Sequence, residues 1–502
     1  MVFPAEDPKS SADARQLAAS IDEQIEARLA FEGLRRAPQT DDAEFIRRAV
    51  LDLHGVVPSP ERTARFLDSR DPEKRVRLID ELLASPRFGK YLGDIWRRRL
   101  VSPAASEQRS HSDRFANWLA HRFNHNDGWD KIVYDLLTAD GTIEDNPVVV
   151  YLIMGRYPLP VTDLTDLVSR YFLGIRLNCA QCHDHPSGQW TRKDYWGLAA
   201  FFAQIQTPGR PKRVHLVGVQ DNRQLTLSSL LDTDVVDGFL SRPPTFLGGQ
   251  PMPADDERTN RVALAAWITS SANPYFSRAA VNRMWWHFFG RGIVNPVDDM
   301  HADAPVSHPE LLDLISRRFI ESGFDLKFIC RAILTSRTYQ QTSRPGDWPE
   351  RESELFARVT IKALSPEQLY DSLVEILGPQ APAGAGDARS GARNEFVQFF
   401  ADDGDPDPTR YGRGIPHLLR LMNSPQFAGR SISDLVARIA RPHRTTDQVV
   451  ADLFLTILSR RPSAEDRELV SDHLRQIDAP NAREYRELAW ALLMSSEFAL
   501  NH

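Results

Sequence analysis

The run Cys179-Ala180-Gln181-Cys182-His183 is the stretch whose residue types and spacing speak most directly of chemistry. Cys-x-x-Cys-His is the pattern through which c-type haem is attached covalently. Two thiols one helical turn apart can each add to a haem vinyl group, and the imidazole that follows is delivered to the iron as its proximal ligand. His185-Pro186 comes directly after, so the cluster holds two imidazoles as well as two thiols. Two of the chain's 3 cysteines sit here.

The same residues support other occupants. Two thiolates with His183 or His185 would make three ligands of a tetrahedral zinc site, with the fourth supplied from elsewhere. A solitary Cys-x-x-Cys without a second such pair is a weak zinc signature. A redox or structural thiol pair is a third reading. His185 stands too near His183 to reach the opposite face of a haem, so it would hydrogen-bond or bind at the haem edge. A second axial ligand would come from methionine or histidine. Met284 and His287 lie three apart on an aromatic helix with Trp285, Trp286, Phe288 and Phe289, against the plainer reading of core packing with a satisfied histidine. Met154 and Met422 are further candidates, and an open distal site stays in view.

Other polar clusters carry less. The run Asp298-Asp299-Met300-His301-Ala302-Asp303 reads as a cation or acid/base cluster or, more simply, as a solvated loop, which is preferred. Asp402-Asp403-Gly404-Asp405 and Asp407 lack the spacing of the twelve-residue calcium loop. Lone Cys330, in an apolar-periodic stretch, reads as a small core residue. Gly290-Arg291-Gly292 lacks the third glycine of a dinucleotide fingerprint and reads as a turn, and no nucleophile elbow or phosphate loop is present.

These groups must be positioned by helices. Amphipathic periodicity dominates, as in Leu78–Leu83 and Leu311–Ile315, with proline and glycine between short helices. Three capping boxes are expected, at Ser307-His308-Pro309-Glu310, Ser365-Pro366-Glu367-Gln368 and Ser463-Ala464-Glu465-Asp466. Phrases recur. Ser85-Pro86-Arg87-Phe88, Ser336-Arg337-Thr338-Tyr339 and Ser495-Ser496-Glu497-Phe498 all follow a leucine-rich helix. Trp118–Phe123 with Gly128-Trp129-Asp130 echoes Leu314–Phe319 with Gly323-Phe324-Asp325. The expected fold is mainly α: two related helical halves with a small β-hairpin insertion and a C-terminal helical block. The halves are placed at 14–205 and 256–502, with the β-containing insertion at 206–255. Its hairpin is expected from Arg213–Val219 and Gln224–Leu227 around Asp221-Asn222. The segment from Pro379 to Arg393 reads as a loop, and the last block begins near His417.

Composition bounds the partners. At 502 residues the chain holds several cores, with 42% hydrophobic and 26% charged residues. A net charge of -7 argues against nucleic acid as a main partner. No window is long and apolar enough for a membrane span. The opening residues show no basic region followed by an apolar core, so no secretory signal is expected from them, which leaves a cytoplasmic location open.

The phrase Leu177-Asn178-Cys179-Ala180-Gln181-Cys182-His183-Asp184-His185-Pro186 with Trp190, Asp41–Arg48 and Tyr195–Phe202 resembles the family catalogued as domain of unknown function 1549, a planctomycete cytochrome-associated domain. Asn273–Phe276, Val281–Trp285, Phe289–Val294, Ser307–Leu312, Leu334–Tyr339 and Leu421–Pro425 resemble its partner, domain of unknown function 1553. The resemblance implies an exported protein, periplasmic or extracellular, that keeps company with a cytochrome c. Three functions follow from the residues. One is an extracytoplasmic redox protein with haem c on Cys179, Cys182 and His183, serving an electron-transfer partner or cytochrome. The second is a zinc or other metal protein, hydrolytic or structural, on the same cluster. The third is a non-catalytic scaffold.

Overall fold

A computed structural model describes residues 8–101, 109–153, 161–186, 189–207, 218–230, 242–301, 303–344, 353–378, 386–400, 408–409, 430–475 and 482–502. Within them the chain is mainly α-helical, with sheets of only two or three short strands. It divides into two compact units, each discontinuous in sequence: Met1–Arg28 with Leu83–Ile333, and Leu29–Leu82 with Leu334–His502.

The first unit contains the echoed phrases, and their structures explain the echo. In the first copy the helix Pro86–Leu100 lies along Arg109–Asn124, followed by Trp129–Thr138. In the second, Phe276–Phe289 packs on Pro309–Glu321, followed by Leu326–Thr335. The turns after the two echoed helices meet. The Trp129 N–H donates to the Phe324 carbonyl (2.9 Å) and the Asn126 amide to the Asp325 carboxylate (2.8 Å). Gly128 is needed there, because a Cβ would lie 2.6 Å from the Gly323 carbonyl oxygen. Gly89 and Gly93, one turn apart, let the first helix pair approach closely. A Cβ on Gly89 would sit 2.3 Å from the Ala120 carbonyl oxygen.

The β elements depart from the expected hairpin. Residues 211–217, most of its first strand, lie outside the described residues. Gly218–Asp221 is a strand that overlaps the expected one only at Gly218 and Val219; Asp221, expected in the hairpin turn, is in the strand, which pairs antiparallel with Gly141–Thr142 on one side and Ile205–Gln206 on the other. Leu227, expected in the second strand, instead begins the short helix Leu227–Leu230. Alternation marks a half-buried strand without naming its partner. The expected loop is also partly wrong: Gly386–Phe400 is helical, with buried Phe396 against Tyr370 and buried Phe400 stacked on Phe396.

The second unit is built around Asp42–His54, a helix whose residues from Glu44 onward are all buried. Its apolar core draws on Pro366–Leu377, Arg430–Ile439, Thr446–Leu458 and Ala482–Leu493. The C-terminal block is thus helical, while its expected start near His417 lies outside the described residues. Burying the charged residues of Asp42–His54 requires partners. Glu44 pairs with Arg48 and accepts from the Ser343 backbone N–H (2.7 Å). Arg48 donates to the carbonyls of Tyr339 (2.6 Å) and Gln341 (2.9 Å). Asp52 takes Lys362 Nζ (2.7 Å), the Tyr339 hydroxyl (2.9 Å) and the Asn501 amide (2.7 Å). Lys362–Ala363 and Leu500–Asn501 pair as a small antiparallel ladder.

Two of the three expected capping boxes form. Ser365 and Gln368 bond reciprocally, as do Ser463 and Asp466. At the third, the Ser307 hydroxyl donates instead to the Ile293 carbonyl (3.1 Å), and His308 occupies the cap position without a side-chain cap bond. The recurrent serine phrases share one role. Ser336 and Ser495 accept from the backbone N–H three residues on, and Ser85 from that of Arg87. The aromatic residues of the phrase, Phe88, Tyr339 and Phe498, are buried.

Candidate functional site: the Cys179–His183 turn

Residues Asn178–Gln181 form a single 3-10 turn. The Ala180 N–H donates to Leu177 O (2.8 Å), and the N–H groups of Cys182 and His183 both point back to Cys179 O (3.4 and 3.3 Å). The two cysteines are therefore one turn apart, a spacing that stacks side chains at i and i+3. Both thiols are free; Cys179 is half-buried, while Cys182 and His183 are exposed. His183 Nδ1 lies 2.8 Å from the Asp184 carbonyl. A carbonyl accepts, so Nδ1 carries the proton and Nε2 is the ring's electron-pair donor.

The turn is fixed from below. Buried Trp196 donates its indole N–H to Gln181 O (3.2 Å) from the helix Arg192–Ala199. That helix starts at Thr191, whose backbone N–H and hydroxyl both donate to the Asp194 carboxylate (2.8 and 2.7 Å). The loop after the motif closes onto it: His185 N–H donates to Trp190 O (2.8 Å) and Arg192 N–H to the Asp184 carboxylate (2.9 Å). Trp190 is buried, its indole N–H has no partner among the described residues, and its ring meets Tyr275 edge-on at 6.1 Å.

The approach to the turn is tied by charge. Asp298, 1% exposed, binds the guanidinium groups of Arg170 and of Arg176, the latter at 2.8 Å and three residues before Cys179. Burial alone would raise the Asp298 carboxyl, but Arg170, Arg283 and Arg176 outweigh it and hold it below the usual carboxylate range. Met300 N–H donates to Gly174 O (2.8 Å), and Gly174 adopts a left-handed φ of 71° where a Cβ would strike the Met300 methyl. The preference for a solvated loop at 298–303 is thus corrected at its first residue, since two arginines compensate a buried Asp298. Fully buried Asn282 sets that loop: its amide donates to Val294 O (2.8 Å) and Val297 O (3.2 Å), and its oxygen accepts the Val294 N–H (3.0 Å).

Beside the turn, Asp166 and Tyr195 form a second polar pair. Burial and the neighbouring Asp163 carboxylate push Asp166 up to about 6, against the lowering effect of the Tyr195 hydroxyl. One Asp166 oxygen is buried without a hydrogen-bond partner among the described residues. The Tyr195 phenol is raised by burial, then by Asp166 and Asp163, with Cys182 also contributing.

The remaining sequence candidates sit as follows. Met284 is buried in the interior on the helix Phe276–Phe289, and His287, half-buried on the same helix, faces Tyr91 at a ring distance of 6.0 Å. Met154 and Met422 lie outside the described residues. Among the described residues, no three His, Cys, Asp or Glu side chains converge as a metal-holding group, so His183 and His185 do not form one with Cys179 and Cys182. Cys330 is a core residue. His308 is buried, and burial together with Arg28 lowers its imidazole to about 4. Arg170, Arg176 and Asp166 were passed over in the sequence, and Asn282 and Tyr195 were met there only as members of the family phrases, with no role assigned. Their only sequence signal was proximity to the motif phrases, because their partners are far away along the chain.

Fold and site together define a mainly helical protein of two compact units that displays a Cys-x-x-Cys-His turn on the first of them. Residues 20–207 match the family described as PSCyt2, protein of unknown function (DUF1549), and residues 260–395 match PSD1, protein of unknown function (DUF1553). The chain thus carries a segment matching each family, in that N- to C-terminal order. Comparison with curated proteins and with solved structures returns no match. No helix among the described residues is long and apolar enough to cross a membrane.

Proposed function

We propose that this chain is an extracytoplasmic redox protein that carries c-type haem on Cys179 and Cys182, with His183 as axial ligand. The observation that carries the reading is the state of His183. Its Nδ1 is engaged by the Asp184 carbonyl, which leaves Nε2 of this exposed residue as the coordinating atom, in the tautomer an axial histidine needs. The donor set fits the group: two free thiols on one turn for thioether bonds and an imidazole one residue later. Trp190, whose carbonyl accepts the His185 backbone N–H, has a buried indole N–H without a partner among the described residues, a donor suited to a polar group at the edge of the site. Bound there, haem would supply one-electron transfer to a partner protein or cytochrome. The chain's own part is to hold the turn. Asp298 anchors Arg176 ahead of it, Trp196 fixes Gln181, and Asp184 orients both His183 and the start of the following helix. Covalent haem attachment takes place outside the cytoplasm, so this reading requires export. A bare zinc centre is the weaker reading, because two thiolates and an imidazole would need ligands that the described residues do not bring to them.

The test is expression in a host that matures c-type cytochromes. The expected product is red, with a mass increment of one haem that survives denaturation, and the increment disappears in Cys179→Ser/Cys182→Ser. A colourless chain with stoichiometric zinc, or one with neither group and unchanged folding in the double variant, ends the haem reading.

A further inference from the structure

The second unit contains a cleft of about 630 Å³ that the redox reading does not use. That volume suits a small organic molecule. One wall is the end of the helix Arg430–Ile439 and the turn after it, which present Arg438, Arg441 and Arg444. The floor is apolar, built from Leu435, Ile439 and Leu455. The three guanidinium groups differ in their partners. Arg444 is neutralised by Asp452 at 2.9 Å. Arg438 donates to the Ile376 carbonyl (2.6 Å) and Arg441 to the Arg438 carbonyl (3.2 Å). Those carbonyls are neutral, and neither Arg438 nor Arg441 has a carboxylate partner among the described residues. Each guanidinium is oriented by its carbonyl bond yet keeps its charge and most of its five donors. Glu61 and Glu375 also line the cleft, so an anionic group is favoured only toward the arginine wall.

We infer that this cleft binds a small organic anion, its carboxylate or phosphate on Arg438 and Arg441 and its apolar body on Leu435, Ile439 and Leu455. An arginine fork matches the planar or tetrahedral oxygens of such groups. An apolar floor beside it selects an ester or acid with a hydrocarbon body over the bare ion.

The test is calorimetric titration of the full chain with 1-naphthyl phosphate and, separately, with inorganic phosphate. Naphthyl phosphate is expected to saturate at about 1 mM or below, and inorganic phosphate to bind roughly tenfold more weakly. Arg441→Gln removes only a local carbonyl contact and should weaken naphthyl phosphate about tenfold while leaving the melting temperature unchanged. Arg438→Gln/Arg441→Gln should abolish binding. Absence of saturation at roughly ten times that concentration, wild-type affinity in Arg441→Gln, or equal affinity for the two phosphates would each overturn the inference.

Discussion

Replacing Asp298 by Asn probes the tether that leads into the cysteine turn. The side chain is 1% exposed and binds Arg170 and Arg176, with Arg176 Nη2 at 2.7 Å. Asparagine keeps the shape and one acceptor oxygen but removes the charge that the two guanidinium groups face. Breaking a buried pair costs about 3–5 kcal/mol. The outer parts of Arg170 and Arg176 are 31% and 46% exposed, so water takes up part of the loss, and about 2 kcal/mol is the expected destabilisation. If the loss is expressed locally, amides in 173–183 should exchange roughly thirtyfold faster, since about 1.4 kcal/mol is a factor of ten. Urea unfolding at neutral pH with hydrogen exchange read peptide by peptide measures both. The sign of the pH dependence is also set. Asp298 is held below the ordinary 3.8 in the folded state, so its contribution is complete above about pH 4 and is lost as pH falls through the lowered value. The gap between wild type and Asp298→Asn should therefore close in acid. A difference below about 0.5 kcal/mol at neutral pH, with unchanged exchange in 173–183, refutes the tether.

Three further outcomes are expected. Asp166 is pushed up to about 6 in the folded chain, so its ionisation opposes folding as pH rises from 3.8 through 6. Asp166→Asn should be more stable than wild type at pH 7, by at most about 3 kcal/mol, with no gain below pH 4, and parallel denaturation curves at the two pH values decide this. Gly89→Ala places a methyl 2.3 Å from the Ala120 carbonyl oxygen, a backbone atom that cannot swing away, and should lower stability by about 2 kcal/mol or more in thermal unfolding. Glu44→Gln leaves Arg48 buried without its carboxylate and should cost about 3 kcal/mol. Burial is outweighed by Arg48 in holding Glu44 down to about 2, so in wild type this contribution should fade between pH 4.5 and 2, as acid denaturation would register.

What could be read directly was whatever closes within a few residues. The boxes at Ser365 and Ser463 form because the serine and its partner three residues on need nothing else. The box at Ser307 fails because a non-local acceptor, Ile293 O, captures the hydroxyl. Of the strand at Gly218–Asp221 only Gly218 and Val219 were legible from alternation, and its neighbours come from residues 141–142 and 205–206, which alternation cannot name. Helix periodicity survived almost everywhere, while the alanine- and glycine-rich stretch near Gly386 turned helical once Phe396 and Phe400 had a core to enter.

By itself the sequence determined the helical class, the repeated serine and glycine turns, and the identity and one-turn spacing of Cys179, Cys182 and His183. Each depends on side-chain type and on hydrogen bonds spanning three or four residues. Only tertiary structure decided that Asp298 is buried between Arg170 and Arg176, and that the echoed turns at Gly128 and Gly323 meet. Those outcomes join groups 199 residues apart for Asn126 and Asp325, and 122 apart for Arg176 and Asp298. Burial and compensation of charge over such separations are properties of the packed chain, and no local pattern encodes them.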